Sequence, residues 1–384
     1  MKFSGRIPYE RLSIDLGVFT LIGVVLLATT VIVPELFFDS PEIRQDFGET
    51  RKATVRNVLE ETRQSSPRGI ELRQRLELDV GGQPITVDHV QGLQDARLLD
   101  LEAGDRVLVN RSSVHGEDTY SIVDYDRESS LWVFAVAFAL LVVAVARWQG
   151  VWSLAGMAAS LLVILRFIIP GIVAGHDPVI ISILGAMVIM ASSLFLSHGI
   201  NRKTGTALVG TTLSLALTAG LAILAVDVAR LSGLADEQSA VLNILTSGGI
   251  NPEGLLLAGI IIGALGVLDD VTVAQASAVQ ELKAANPLLQ GRDLFRRAMN
   301  VGRDHIASTV NTLFLAYAGA ALPLLILLSL QTEPTRILVS REFLATEVFR
   351  TIVGSIGIVA SVPVTTALAT LGASFARPAL RGFE

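Results

Sequence analysis

Residues 254–280 read GLLLAGIIIGALGVLDDVTVAQASAVQ. The run is long enough to cross a bilayer core of about 30 Å, which takes roughly 20 apolar residues as a helix. Its only ionisable side chains are Asp269 and Asp270. By helix rise they lie about 3–5 Å from Val267, the middle of the run. A carboxylate near a helix centre costs about 2.5–3.5 kcal/mol on insertion scales. Two adjacent ones also repel, so the pair is expected to titrate as a coupled unit. Such a pair suits proton carriage or cation binding. The structural alternative is that each carboxylate accepts hydrogen bonds from a neighbouring helix and fixes packing.

The rest of the chain has the same character. It has 384 residues, 51% of them hydrophobic, and a mean hydropathy of +0.57. The fold class read from this is an all-α polytopic membrane bundle of about eight spans, with a small β-barrel or OB-like domain between the first two. The spans are expected at 17–38, 130–147, 151–173, 179–197, 205–227, 254–275, 306–330 and 351–373. Segment 232–250 is mildly apolar and reads as amphipathic or re-entrant. With the N-terminus cytoplasmic, the inner segments hold Lys2, Arg6, Arg11, Arg147, Arg202, Lys203, Lys283, Arg292, Arg296, Arg297, Arg303, Arg377 and Arg381. The short outer loops hold Arg230, Arg336, Arg341 and Arg350. That asymmetry follows the positive-inside rule. It places both termini in the cytoplasm, residues 39–129 outside it, and 374–384 as a cytoplasmic tail. Residues 1–38 form an N-terminus and uncleaved anchor, and 130–373 a seven-span bundle. Around 288–304 the spacing of Arg292, Arg296, Arg297 and Arg303 predicts a basic amphipathic helix on the membrane surface.

Residues 39–129 are polar and alternate. ATVRNVLE, IELRQRLELDV, PITVDHV, DRVLVN and YSIVDY read as five strands, with Gly81-Gly82 as a hairpin turn. No cysteine is present, so thiol chemistry and disulfides are excluded. The net charge of −6 gives no reason to expect nucleic acid. No Walker A loop, HExxH or GxSxG is found, and no cofactor or enzymatic activity is expected. The nature of any metal at the acidic pair is left open.

Helical spacing gives the two carboxylates different addresses. Gly263, Gly266, Asp270, Ala274 and Ser277 follow one stripe, whose small residues predict close helix packing with Asp270 inside it. Asp269 points about 100° away, near Thr272. The next span carries a matching line of His305, Ser308, Thr312, Ala316 and Gly319, with Asn311 beside it. Thr211, Ser214 and Thr218 on the fifth span and Gly354, Ser361, Thr365 and Gly372 on the last form similar lines. The candidate coupling residues are therefore Asp269, Asp270, Thr272, Ser308, Asn311 and Thr312, with Gly263, Gly266, Ser277 and Gly319 as packing positions. Arg166 is a second intramembrane charge. It would pair with the aspartates, snorkel outward, or cap carbonyls freed by Pro170-Gly171.

The blocks IIGALGVLDDVTVAQASAVQEL, DLFRRAMNVGRDHI and STVNTLFLAYAGAALPLL, with SHGINRKTGTALVGT upstream, resemble the YibE/F family over roughly 130–373. That resemblance implies a multispan bacterial inner-membrane protein. The order of Gly266–Asp270, the 292–303 helix and Ser308–Thr312 is also similar to one half-bundle of RND-type transporters and SecDF proteins. It implies proton-carrying aspartates and, with only one half-bundle present, a homodimer or other homo-oligomer. The large extracytoplasmic insertion of those proteins is missing. The expectation is a proton- or ion-coupled transporter in the cytoplasmic membrane. The competing one is a non-transporting scaffold whose 39–129 domain binds an extracytoplasmic protein.

Overall fold

A computed structural model describes residues 20–38, 49–66, 69–91, 99–114 and 117–374. The N-terminal residues with Lys2, Arg6 and Arg11, and the tail from 375 onward, lie outside the described residues. The chain divides into two compact units, Ile43–Val145 and the remainder.

The first unit contains a curled antiparallel sheet of β1 (Glu49–Ser66), β2 (Gly69–Val80), β3 (Gln83–Gln91), β4 (Arg106–Val114) and β5 (Glu117–Tyr125), in the order β3-β2-β1-β4-β5. All five expected strands are present, longer than their motifs. The long β1 serves two partners: Glu49–Thr54 pair with β4 and Thr54–Ser66 with β2. Register shifts at Val55/Asn57 and Val58/Glu60 bend it, as bulges do. The edge strands β3 and β5 thereby come within 8 Å without pairing. Alternation turns Ala53, Val55, Leu76, Leu78, Val107 and Val109 into the sheet core. Gly81 and Gly82, at φ 63° and 90°, join Val80 to its partner Gln83. Two successive positive φ values are what a two-residue type I′ hairpin requires.

The helices are α1 (Thr20–Phe37), α2 (Glu128–Val173), α3 (Pro178–His198), α4 (Arg202–Ala229), α5 (Glu237–Leu245), α6 (Pro252–Ala285), α7 (Gly291–Ala320), α8 (Leu322–Ser329), α9 (Thr335–Val339) and α10 (Glu342–Ser374). Six of them (α1, α2, α3, α4, α6 and α10) are long and apolar enough to cross a membrane, and α7 with α8, bent by 65°, makes a seventh candidate. Local signals set several starts. Asp177 accepts from the amides of Val179 and Ile180, with Pro178 following. Asn201 caps α4 through Thr204 N, and Asn251-Pro252 opens α6. These are N-cap and N1-proline devices.

One expectation is corrected. The basic helix around 288–304 and the span at 306–330 are not separate: α7 runs unbroken from Gly291 to Ala320. The break falls instead at Ala321, next to Pro323, which has no amide to continue the ladder. Segment 232–250, expected to be amphipathic or re-entrant, carries the short α5. The expected spans at 130–147 and 151–173 are two helices within α2, joined at a kink where Arg147 leaves helical geometry at φ 55°, ψ −133°.

In the helical unit α6 is central. It packs against α3, α4, α7 and α10, and α10 also packs on α4 and α7. Ile261, Leu265, Leu268 and Val271 of α6 join Met190 and Leu194 of α3 and Ile358 and Val362 of α10 in the main core.

Candidate functional site

The polar residues of α6 divide between two faces. Leu268, Thr272, Gln275 and Val279 are buried and form the inward stripe. Thr272 and Thr211 of α4 share a hydrogen bond at 2.5 Å, and Thr272 Oγ1 also lies 3.1 Å from the carbonyl oxygen of Asp269. One turn on, Gln275 Nε2 donates to Ala298 O of α7 at 3.0 Å and to Thr366 Oγ1 of α10 at 2.7 Å. Thr211, Ser214 and Thr218 of α4 and Ser361, Thr365 and Thr366 of α10 are all within 1% of complete burial. They line the contacts among α4, α6 and α10 with hydroxyls. Glycines let these helices approach: a Cβ on Gly210 would fall 3.2 Å from Thr365 Cβ, and one on Gly357 3.3 Å from Thr218 Cβ. Most of these hydroxyls donate back to a carbonyl one turn earlier, as Thr218 does to Ser214 O, which satisfies them inside the apolar bundle.

Asp269 stands at the edge of this seam. It is half-buried, and its Oδ1 is shielded from solvent with no hydrogen-bond partner. A buried acceptor left unmatched costs about 1–3 kcal/mol, and more when charged. Asp270, one residue on, is exposed. Among the described residues it has no hydrogen bond or ion pair, and His198 at the end of α3 is near enough to interact with it electrostatically.

The structure brings Thr272 and Asp269 together and separates the other expected residues. Gly263, Gly266 and Ala274 are exposed alongside Asp270, and Ser277 is half-buried. Among the described residues few atoms approach this stripe. No atom lies within 4 Å of a Cβ built on Gly266, and Gly263 meets only the Tyr317 hydroxyl. The expectation that Asp270 faces a helix–helix interface is therefore not met among the described residues of a single chain. The two stripes share the same period, and the neighbours took the other one. His305, Ser308, Thr312 and Gly319 of α7 are likewise exposed, with Thr312 Oγ1 donating to Ser308 O at 3.0 Å. Asn311 lies in a groove of about 570 Å³ shared with α10, beside Phe314, Thr351, Ser355 and Ile356. Arg166 does not pair with the acidic couple. It sits exposed in a π-helical turn, Ile164–Ile168, because Phe167 and Ile168 take the inward positions. Among the described residues no group of three His, Cys, Asp or Glu is arranged to hold a metal.

Gln275, Thr366 and His198 are members that sequence reasoning missed. Gln275 was visible as the residue three beyond Thr272 on the stripe opposite the glycines. His198 had no sequence signal, since only the packing of α3 beside α6 brings it near Asp270.

Long apolar helices around a buried hydroxyl seam and a carboxylate without a partner define a multi-helix bundle of membrane-protein type. A family model described as YibE/F-like protein matches residues 134–374, and the chain belongs to that family. No curated protein and no solved structure matches it. The similarity to RND-type half-bundles thus stands on the order of motifs alone.

Proposed function

We propose that this chain is a bacterial cytoplasmic-membrane protein that couples movement of a proton or cation at Asp269 and Asp270 to transport or another membrane process. Counting α2 as two spans across its break at Arg147, and α7 with α8 as one, gives eight spans. That number returns both termini to the cytoplasm and leaves the sheet unit outside. The observation that carries the reading is the shielded, unpartnered Oδ1 of Asp269 beside Asp270 in the longest apolar stretch of α6. A purely structural carboxylate at this depth would be expected to have donors, since hydrocarbon supplies none. In this reading α7 transmits the change. It is a single rigid helix tied to α6 through Gln275, so a shift at the acidic pair reaches its basic end. The curled sheet fits an OB-like barrel, with one long strand shared by two halves and edges that approach each other.

The test is ion or proton flux in proteoliposomes containing the intact chain. Asp269→Asn and Asp270→Asn are expected to abolish coupled flux while expression and thermal stability are kept. Full flux in both variants would sink the proposal. A scaffold reading is favoured by the sheet unit, which carries a polar cleft of about 360 Å³ lined by Lys52, Thr54, Asp79, Arg106 and Asp126. It expects a protein partner there, and predicts that removing the sheet ends function while neutralising the aspartates changes stability alone.

A further inference from the structure

The outward face of α6 is the wrong surface to leave in lipid. Gly259, Gly263, Gly266, Asp270 and Ala274 are all exposed on it, and a Cβ built on Gly259 or Gly266 meets nothing within 4 Å. A glycine track with an ionisable group in it has the form of a helix-packing surface, and a carboxylate facing hydrocarbon is costly. The neighbouring α7 adds a second such surface. His305, Ser308 and Thr312 are exposed on its side away from α10, since Asn311 on the other side lines the α10 groove.

The two surfaces match in level. Gly263 lies beside Tyr317, and Gln275 beside Ala298 and Gly302. The antiparallel pairing of α6 and α7 therefore sets Asp270 level with Ser308. Copies inserted in one membrane share an orientation, so a two-fold axis between them runs along the membrane normal, and residues of equal depth meet. One copy then offers the Asp270 carboxylate where the other offers the Ser308 hydroxyl and the His305 imidazole, with Thr312, whose hydroxyl donates to Ser308 O, beside them. That self-complementarity is what an isologous interface needs.

We propose that two copies of this chain pair through the outward face of α6. Gly266 lies near the two-fold axis, and Asp270 is covered by Ser308 and Thr312 of the second copy. The proposal rests on the membrane-spanning reading above and names the partner of its acidic site.

The chain has no cysteine, so Gly266→Cys introduces a lone thiol. Oxidation of membranes carrying the full chain should give a disulfide-linked dimer at least about tenfold more abundant than for Leu217→Cys, which lies on an exposed part of α4. Gly266→Leu, for which the single chain has room, should convert dimers to monomers when subunits are counted in lipid nanodiscs. Equal crosslinking of the two cysteine variants, crosslinking of Gly266→Cys to a different protein, or an unchanged dimer in Gly266→Leu would each overturn the pairing. Carbonate extraction separates the two ideas. A chain released from membranes defeats the membrane reading, whereas one that stays embedded but does not crosslink defeats only the dimer.

Discussion

Gln275 joins Thr366 at 2.7 Å and the carbonyl of Ala298 at 3.0 Å, so a lone amide ties α6 to both α10 and α7. Its replacement by Leu keeps the volume and removes the donor. Gln275→Leu is expected to cost about 1–2 kcal/mol, the range for a buried hydrogen-bonding group in a helical bundle. Thermal unfolding in detergent measures it. Because the link runs to α7, proteolysis near Arg296 and Arg297 should also speed up.

Glycines on the two faces of the bundle should respond oppositely. A Cβ on Gly302 would sit 2.9 Å from Gln275 Oε1, whereas one on Gly220 meets nothing within 4 Å. Gly302→Ala should therefore lower the melting temperature. Gly220→Ala should raise it, since alanine in a helix interior gains about 0.5–1 kcal/mol over glycine.

Asp269→Asn removes a charge whose Oδ1 has no donor. The variant is expected to be at least as stable as the native chain, since desolvating an amide costs less than desolvating a carboxylate. A clear loss of stability, read by the same melting experiment, would show that the carboxylate is a structural tie.

In the sheet unit Gln74 is fully buried, and its amide bonds the backbone of Leu101 in both directions, at 3.2 and 3.3 Å. Gln74→Leu should release this segment at a cost of about 1–3 kcal/mol. Faster hydrogen exchange at Leu101 and Glu102 is the measurement.

Asp79 pairs with Arg56 at 2.6 Å and also accepts from the Gly82 amide. Both hold its carboxyl below the usual range, Arg56 first. Its contribution is thus present above the ordinary aspartate value and lost as pH falls through the lowered native one. Arg56→Gln should move the Asp79 titration up toward that ordinary value, observed by carbon NMR of aspartate-labelled protein.

Several features were open to a linear reading because they are local. Strand alternation located all five strands, and Gly81-Gly82 located a hairpin that needs two positive φ values. The caps Asp177-Pro178 and Asn251-Pro252 are equally local signals that the linear reading did not use. The reading of α7 failed for an instructive reason. The charged stretch around Arg296 was separated from the apolar one after it, yet polarity does not interrupt a backbone ladder. Leu294, Ala298 and Gly302 give the charged half a buried edge continuous with the rest, and only Pro323 forces a bend.

The sequence by itself determined where the apolar helices lie, the five strands and their turn, and the presence of two carboxylates in a helix of membrane length. Only the tertiary structure decided which face of α6 turns inward. Both its stripes have helical period, and both carry small and polar residues, so periodicity is silent on the choice. Thr211 on α4, Ala298 on α7 and Thr366 on α10 supply partners for Thr272 and Gln275, and among the described residues none hydrogen-bonds Asp270. Those partners come from segments far apart in sequence, and close packing allowed by Gly210, Gly302 and Gly357 brings them together.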